Sequence, residues 1–67
     1  MKYKIKQKVQ IKEDLQHDKL YNGYAFLNQM KKYPVVTIKD FNVFYGIYWV
    51  EENDFMYTDP MIKDITE

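Results

Sequence analysis

Few side chains in this sequence can do covalent or proton-transfer chemistry. His17 is the only imidazole, and it lies among Gln16, Asp18 and Lys19 in a polar stretch. Serine and cysteine are absent, and the three threonines have no glycine-rich or histidine-rich context that would activate a hydroxyl. A general base needs both a partner and a pocket, and a chain this short encloses little. Glu13-Asp14 and Glu51-Glu52-Asn53-Asp54 carry oxygens suited to a hard cation, but neither has the spacing of a calcium-binding loop. Two isolated glycines cannot cradle a phosphate. The expectation is a protein that is not an enzyme, with no catalytic residue, no metal and no cofactor.

What remains is the chemistry of surfaces. Lys2, Lys4, Lys6 and Lys8 alternate with Tyr3, Ile5 and Val9 around a single break at Gln7. On an extended strand such lysines would stand roughly 6.6–6.8 Å apart, near the phosphate spacing of a nucleic-acid strand. Lys4, Lys6 and Lys8 are therefore candidates for a nucleic-acid-binding face. Against it stand a formal net charge of zero and the absence of Arg, the preferred base-reading side chain. Exposed lysines also protect an edge strand from pairing with other chains. The charge is unevenly spread. Residues 1–32 hold eight Lys and three acids, a balance of +5, and residues 33–67 hold two Lys and seven acids, a balance of −5. Paired as neighbouring strands, the two ends would cancel; kept apart, they would form a dipole.

The elements that position these groups follow from periodicity. Residues 2–12 alternate with period two and read as a strand, bent near Gln7. Residues 13–23 read as a long ordered loop with a turn at Asn22-Gly23. Phe26, Met30 and Tyr33 have helical spacing, so a short helix is expected near 25–33, stopped by Pro34. Val35 to Ile38 is β-branched and reads as a strand, Asp40-Phe41-Asn42 as a turn, and Val43 to Val50 as a second, almost wholly apolar strand. Glu51–Asp54 connects it to Phe55–Thr58, which sets Val50 opposite Phe55, Trp49 opposite Met56 and Tyr48 opposite Tyr57. Asp59-Pro60 favours a helical or 3₁₀ turn capped by Thr58 or Asp59, and a strand near Lys63–Ile65 could close the sheet beside the first.

At 67 residues, 46% hydrophobic and 18% aromatic, the chain is one small domain, 1–67. Without cysteine its core depends on packing alone. No apolar run approaches a membrane span of roughly 20 residues, so no membrane association and a cytoplasmic setting are expected. The expected fold is α+β and mainly β: a small, SH3-like, bent antiparallel sheet or barrel of four or five strands with one short helix. Its core should hold Ile5 or Val9, with Ile11, Phe26, Met30, Val36, Ile38, Tyr48, Val50 and Tyr57.

The string Lys8-Val9-Gln10-Ile11-Lys12-Glu13-Asp14-Leu15, then Tyr21, Gly23, Phe26, Met30, Tyr33, Thr37-Ile38, Tyr48, Val50-Glu51-Glu52, Phe55, Tyr57-Thr58 and Met61 resembles a group of short accessory proteins. They are encoded by phages and prophages of Gram-positive bacteria. The likeness spans residues 8–62 and departs from the pattern at Pro34, where glycine is usual, and at Phe55 and Tyr57, where Trp is usual. It implies a small β-barrel-like fold and an accessory phage role in the host cytoplasm, and it transfers no catalytic residue. The role expected is binding to a host protein, with inhibition of an anti-phage defence or nucleic-acid-processing factor, as an anti-CRISPR protein does. The resemblance places Tyr48, Val50, Phe55 and Tyr57 at recurrent positions, which suits the core, and leaves Trp49 and Met56 outside. Tyr45 and Ile47 extend that apolar patch, and Glu51, Glu52 and Asp54 border it with negative charge. A homodimer would bury the same patch.

Overall fold

The computed structural model describes residues 2–63. Seven short strands run in the order β1 (Lys8–Ile11), β2 (Lys19–Tyr21), β3 (Tyr24–Phe26), β4 (Val35–Asn42), β5 (Ile47–Val50), β6 (Met56–Thr58) and β7 (Ile62–Lys63). Five form one antiparallel sheet ordered β6-β5-β4-β1-β7, and β2 and β3 form a separate hairpin inserted between β1 and β4. The edge strands β6 and β7 are joined by one 3₁₀ turn, Asp59–Met61. In a flat sheet four inter-strand gaps of about 4.8 Å would separate those edges by roughly 19 Å. Four residues of chain reach at most about 14 Å. The sheet must therefore curl.

Two irregularities serve that curl. Between Ile38 and Asp40 the β4–β5 register shifts, leaving Lys39 as an extra residue. Opposite the same Ile38, the Lys6 amide donates to the Ile38 carbonyl (2.7 Å) and the Ile38 amide donates to the Gln7 carbonyl (2.9 Å), so two residues face one. Lys6 has φ 72° and is the third residue of a turn closed by the Gln7 amide on the Lys4 carbonyl. Most side chains avoid that conformation, and glycine is its usual occupant. The break at Gln7 marks this bulge. The expected strand over residues 2–12 is thus only Lys8–Ile11, preceded by a turn. Ile5, 45% exposed, leaves the core to Val9, while Tyr3 folds in and is buried.

The expected helix near 25–33 is likewise shorter. Asn22 (φ 55°) and Gly23 (φ 90°) form a two-residue hairpin turn between Tyr21 and Tyr24. That hairpin takes Phe26 into β3 and leaves only a 3₁₀ helix over Asn28–Lys32, with Met30 as its buried residue. Its N-cap residue, Leu27, has no polar side chain, and the Leu27 amide donates to the Met30 Sδ at 3.3 Å. Asp40-Phe41-Asn42 belongs to β4, and the reversal falls at residues 43–46, so β5 is half the length the apolar run implied. The pairs Trp49–Met56 and Tyr48–Tyr57 stand in the expected register, whereas Phe55 lies before β6 and leaves Val50 without that partner. The Asp59–Met61 turn forms as expected, but Thr58 at its cap position makes no side-chain cap bond and its hydroxyl donates instead to the Tyr21 carbonyl (2.9 Å). Ile62–Lys63 pairs with β1. The end of that expected strand, Asp64 and Ile65, lies outside the described residues.

The core joins Tyr3, Val9, Ile11, Leu15, Phe26, Met30, Val36, Ile38, Tyr48, Val50, Tyr57, Met61 and Ile62. Among the described residues no helix is long and apolar enough to cross a membrane. The bulge yields the first prediction. Lys6→Gly and Lys6→Ala both lose the side chain, but only glycine accepts φ 72° without strain. Lys6→Gly should be the more stable variant by about 1 kcal/mol, the left-handed penalty less the chain entropy of glycine. Denaturant unfolding of the two variants measures it, and equal midpoints would rule out strain at Lys6.

Candidate protein-binding surface

The β4–β5 reversal is built to hold apolar side chains in water. The Gly46 amide donates to the Asn42 carbonyl (2.9 Å), and the Tyr45 amide donates to the Asn42 Oδ1 (3.0 Å). Gly46 closes the turn at φ 68°, where a Cβ would also stand 3.6 Å from the Asn22 Nδ2 of the neighbouring hairpin. Val43, Phe44 and Tyr45 project from this frame, with Phe44 87% exposed. The Phe44 and Tyr45 rings meet edge to face at 5.0 Å, a contact that orders them relative to each other. Tyr45 is an expected contact residue but Val43 and Phe44 are not, because an all-apolar run reads as strand. The signal that could have found them is Asn42 four residues before Gly46.

The other expected contact residues separate into groups. Trp49 points outward from β5, half-buried, and pairs with Met56, which is 41% exposed. Ile47 does not extend their patch: it is buried, 3% exposed, with Asn42 on one side of it and Thr58 on the other across the sheet. The outer face is thus interrupted between Tyr45 and Trp49.

The acidic connection is divided in role. Glu51 pairs with the Lys6 Nζ at 2.9 Å. Glu52 accepts from the Thr37 amide (2.8 Å) and hydroxyl (2.9 Å), pinning the connection to β4. Desolvation pushes the Glu52 carboxyl up, but the bonds from Thr37, its own amide and the Lys8 charge together hold it below 4.5. Asn53 shapes the rest: its Nδ2 donates to the Tyr57 hydroxyl, and the Phe55 amide donates to its Oδ1. Asp54 is exposed.

The lysines do not form the regular row expected of them. Lys4 and Lys6 lie in the turn before β1, Lys8 alone is in the strand, and Lys6 is engaged by Glu51. The basic start of the chain therefore sits against the acidic connection, and the opposite charges meet. His17 accepts the Asn28 amide on its Nδ1 (2.9 Å), which ties the loop after β1 to the 3₁₀ helix. Among the described residues no three His, Asp or Glu side chains gather to share a metal ion. No family model matches the sequence, and no curated protein or solved structure matches it either.

What fixes the outward set on β5 is the inward anchor between Trp49 and Ile47. Tyr48 is wholly buried, its hydroxyl donates to the Asp59 Oδ1 (2.8 Å), and the Tyr3 amide donates back to that hydroxyl (3.4 Å). Burial first, then the bond to Asp59, push the hydroxyl from 10.0 to about 12, against the opposing pull of the Tyr3 amide. An unfolded tyrosine ionises near 10, so the folded state must hold its proton until about 12. The contribution is complete below the lower value and is lost as pH rises through the upper one. Wild-type stability should fall steeply over that interval. Tyr48→Phe should fall less, keeping a residue of the effect from Tyr57, which burial also raises. Denaturation midpoints at mildly and strongly alkaline pH check it; parallel curves would refute the assignment.

Proposed function

We propose that the chain is a non-enzymatic phage accessory protein that binds a host protein through the β4–β5 turn and inhibits it, the target being an anti-phage defence or nucleic-acid-processing factor. The protein-binding part rests on one observation: three consecutive large apolar side chains are held in water by a turn fixed through Asn42 and Gly46. An exposed aromatic on a loose loop pays conformational entropy when it binds, whereas one already held in place pays less. Rigid aromatic anchors of this kind are enriched at interface hot spots. The phage role and the inhibition are supported by the sequence resemblance alone. A five-strand antiparallel sheet, curled until one 3₁₀ turn joins its edges, supports reading the fold as an SH3-like barrel.

Phe44→Ala with Tyr45→Ala tests the proposal. Both side chains are exposed, so unfolding free energy should stay within about 0.5 kcal/mol of wild type. A protein retained from host lysate by the wild-type chain should bind the double variant more weakly by about 2–4 kcal/mol, as hot spots do. Titration of the purified partner with each form provides the measurement. A double variant that binds as tightly as wild type would sink the assignment of the turn.

A further inference from the structure

A second surface lies at the far end of β5. Between the β2–β3 hairpin and the β5–β6 connection runs an open groove of about 270 Å³, lined by Tyr24, Leu27, Asp54, Phe55 and Met56 among others. Tyr24, Leu27 and Phe55 pack against the core and stay half-buried, so each has one side spent on folding and one side facing the groove. Asp54 is the charged residue in that lining. Of the acids in the connection, Glu51 is taken by Lys6 and Glu52 by Thr37. Asp54 alone makes no such bond among the described residues.

We propose that this groove binds a short basic and apolar segment of a protein partner, its cation meeting Asp54 and its apolar side chains lying on Leu27, Phe55 and Met56. The charge complementarity is specific in sign, because an acidic segment would bring a second carboxylate against Asp54. Lysine and arginine suit the site further. Their hydrocarbon stems lie on apolar surface while the charged head reaches a carboxylate, and the faces of Tyr24 and Phe55 attract a cation. An open groove of this volume takes one or two side chains rather than an enclosed metabolite.

The test is an amide-resolved NMR titration of the full chain with a short capped peptide of alternating leucine and lysine. In two control peptides glutamate or serine replaces lysine. The basic peptide should shift the amides of Tyr24, Leu27 and residues 54–56, and the effect should weaken as salt is raised. The glutamate peptide should leave them in place. Asp54→Asn should weaken the basic peptide roughly 1.5- to 5-fold, and Met56→Ser, also exposed, should weaken it independently of charge. Phe44→Ala should change nothing, so failure here is distinct from failure of the turn. The proposal is overturned if the groove amides do not move, if all three peptides act alike, if Asp54→Asn has no effect, or if the shifts lie on another surface. It is also overturned if sedimentation shows a dimer in which these amides are already covered, since a second copy would then be the occupant.

Discussion

Tyr48 links parts of the chain that lie far apart in sequence. Its ring sits edge-on to Tyr3 and Phe41, and in the sheet it stands between Phe41 of β4 and Tyr57 of β6. Its hydroxyl reaches the Asp59 side chain at the start of the edge-to-edge turn and takes the Tyr3 amide from the N-terminal segment. An aromatic ring buried without a partner for its hydroxyl would cost roughly what the hydrogen bond returns, and here the hydroxyl is satisfied on both sides. Because side chains alternate along a strand, placing Tyr48 inward sends Trp49 outward, and a slip of one residue would exchange them.

Curvature follows from the same shortage of chain. With strands of two to eight residues and no covalent staple, the sheet buries enough apolar surface only by bending around it. Both irregularities sit beside Ile38, one in β4 itself and one in the partner segment, so the bend is concentrated where Ile38 reaches the core. Lys6 occupies the strained position of one bulge, and its charged end meets Glu51 across the surface. An exposed pair of this kind contributes at most about 1 kcal/mol, comparable to the strain it accompanies. Its larger effect is on the field. Lys6 against Glu51 and Lys8 near Glu52 bring the two oppositely charged halves of the sequence together. That leaves the lysines less able to act as one continuous anion-binding row.

The sequence was most legible where a residue has one physical use. Asn22-Gly23 marks a turn because both residues tolerate positive φ, although the strands it joins were not legible in what reads as a loop over residues 13–23. Asp59-Pro60 marks a short turn because proline presets its backbone. Val9, Ile11, Val36 and Ile38 were readable as core where polar residues interleave, Phe26 and Met30 through their spacing, and Tyr48, Val50 and Tyr57 only through the recurrent positions that the resemblance implies. From Val43 to Val50 nothing polar interleaves, so the pattern could not tell strand from turn, and the exposed Phe44 was hidden inside it. Phe26, Met30 and Tyr33 have helical spacing by coincidence of use: the hairpin claims Phe26, the 3₁₀ helix claims Met30, and Tyr33 is left at the surface. Lys6 carries no propensity for its own conformation. Only the register of the sheet around it requires positive φ, which is a tertiary demand.

The two candidate contact surfaces stand at opposite ends of β5, the aromatic turn before Ile47 and the groove after Val50. Three residue steps of strand separate those ends by about 10 Å. Buried Ile47 breaks the apolar surface between them, so they are not one patch divided by nomenclature. Sites that far apart and without shared side chains respond to substitution nearly independently. A partner spanning both proposed surfaces would gain the summed energy of two contacts on one hairpin, with no linker to order. A small chain can reach useful affinity in that way. On these proposals the strand carries the exposed Phe44–Tyr45 pair before one end and a groove containing the Asp54 carboxylate after the other.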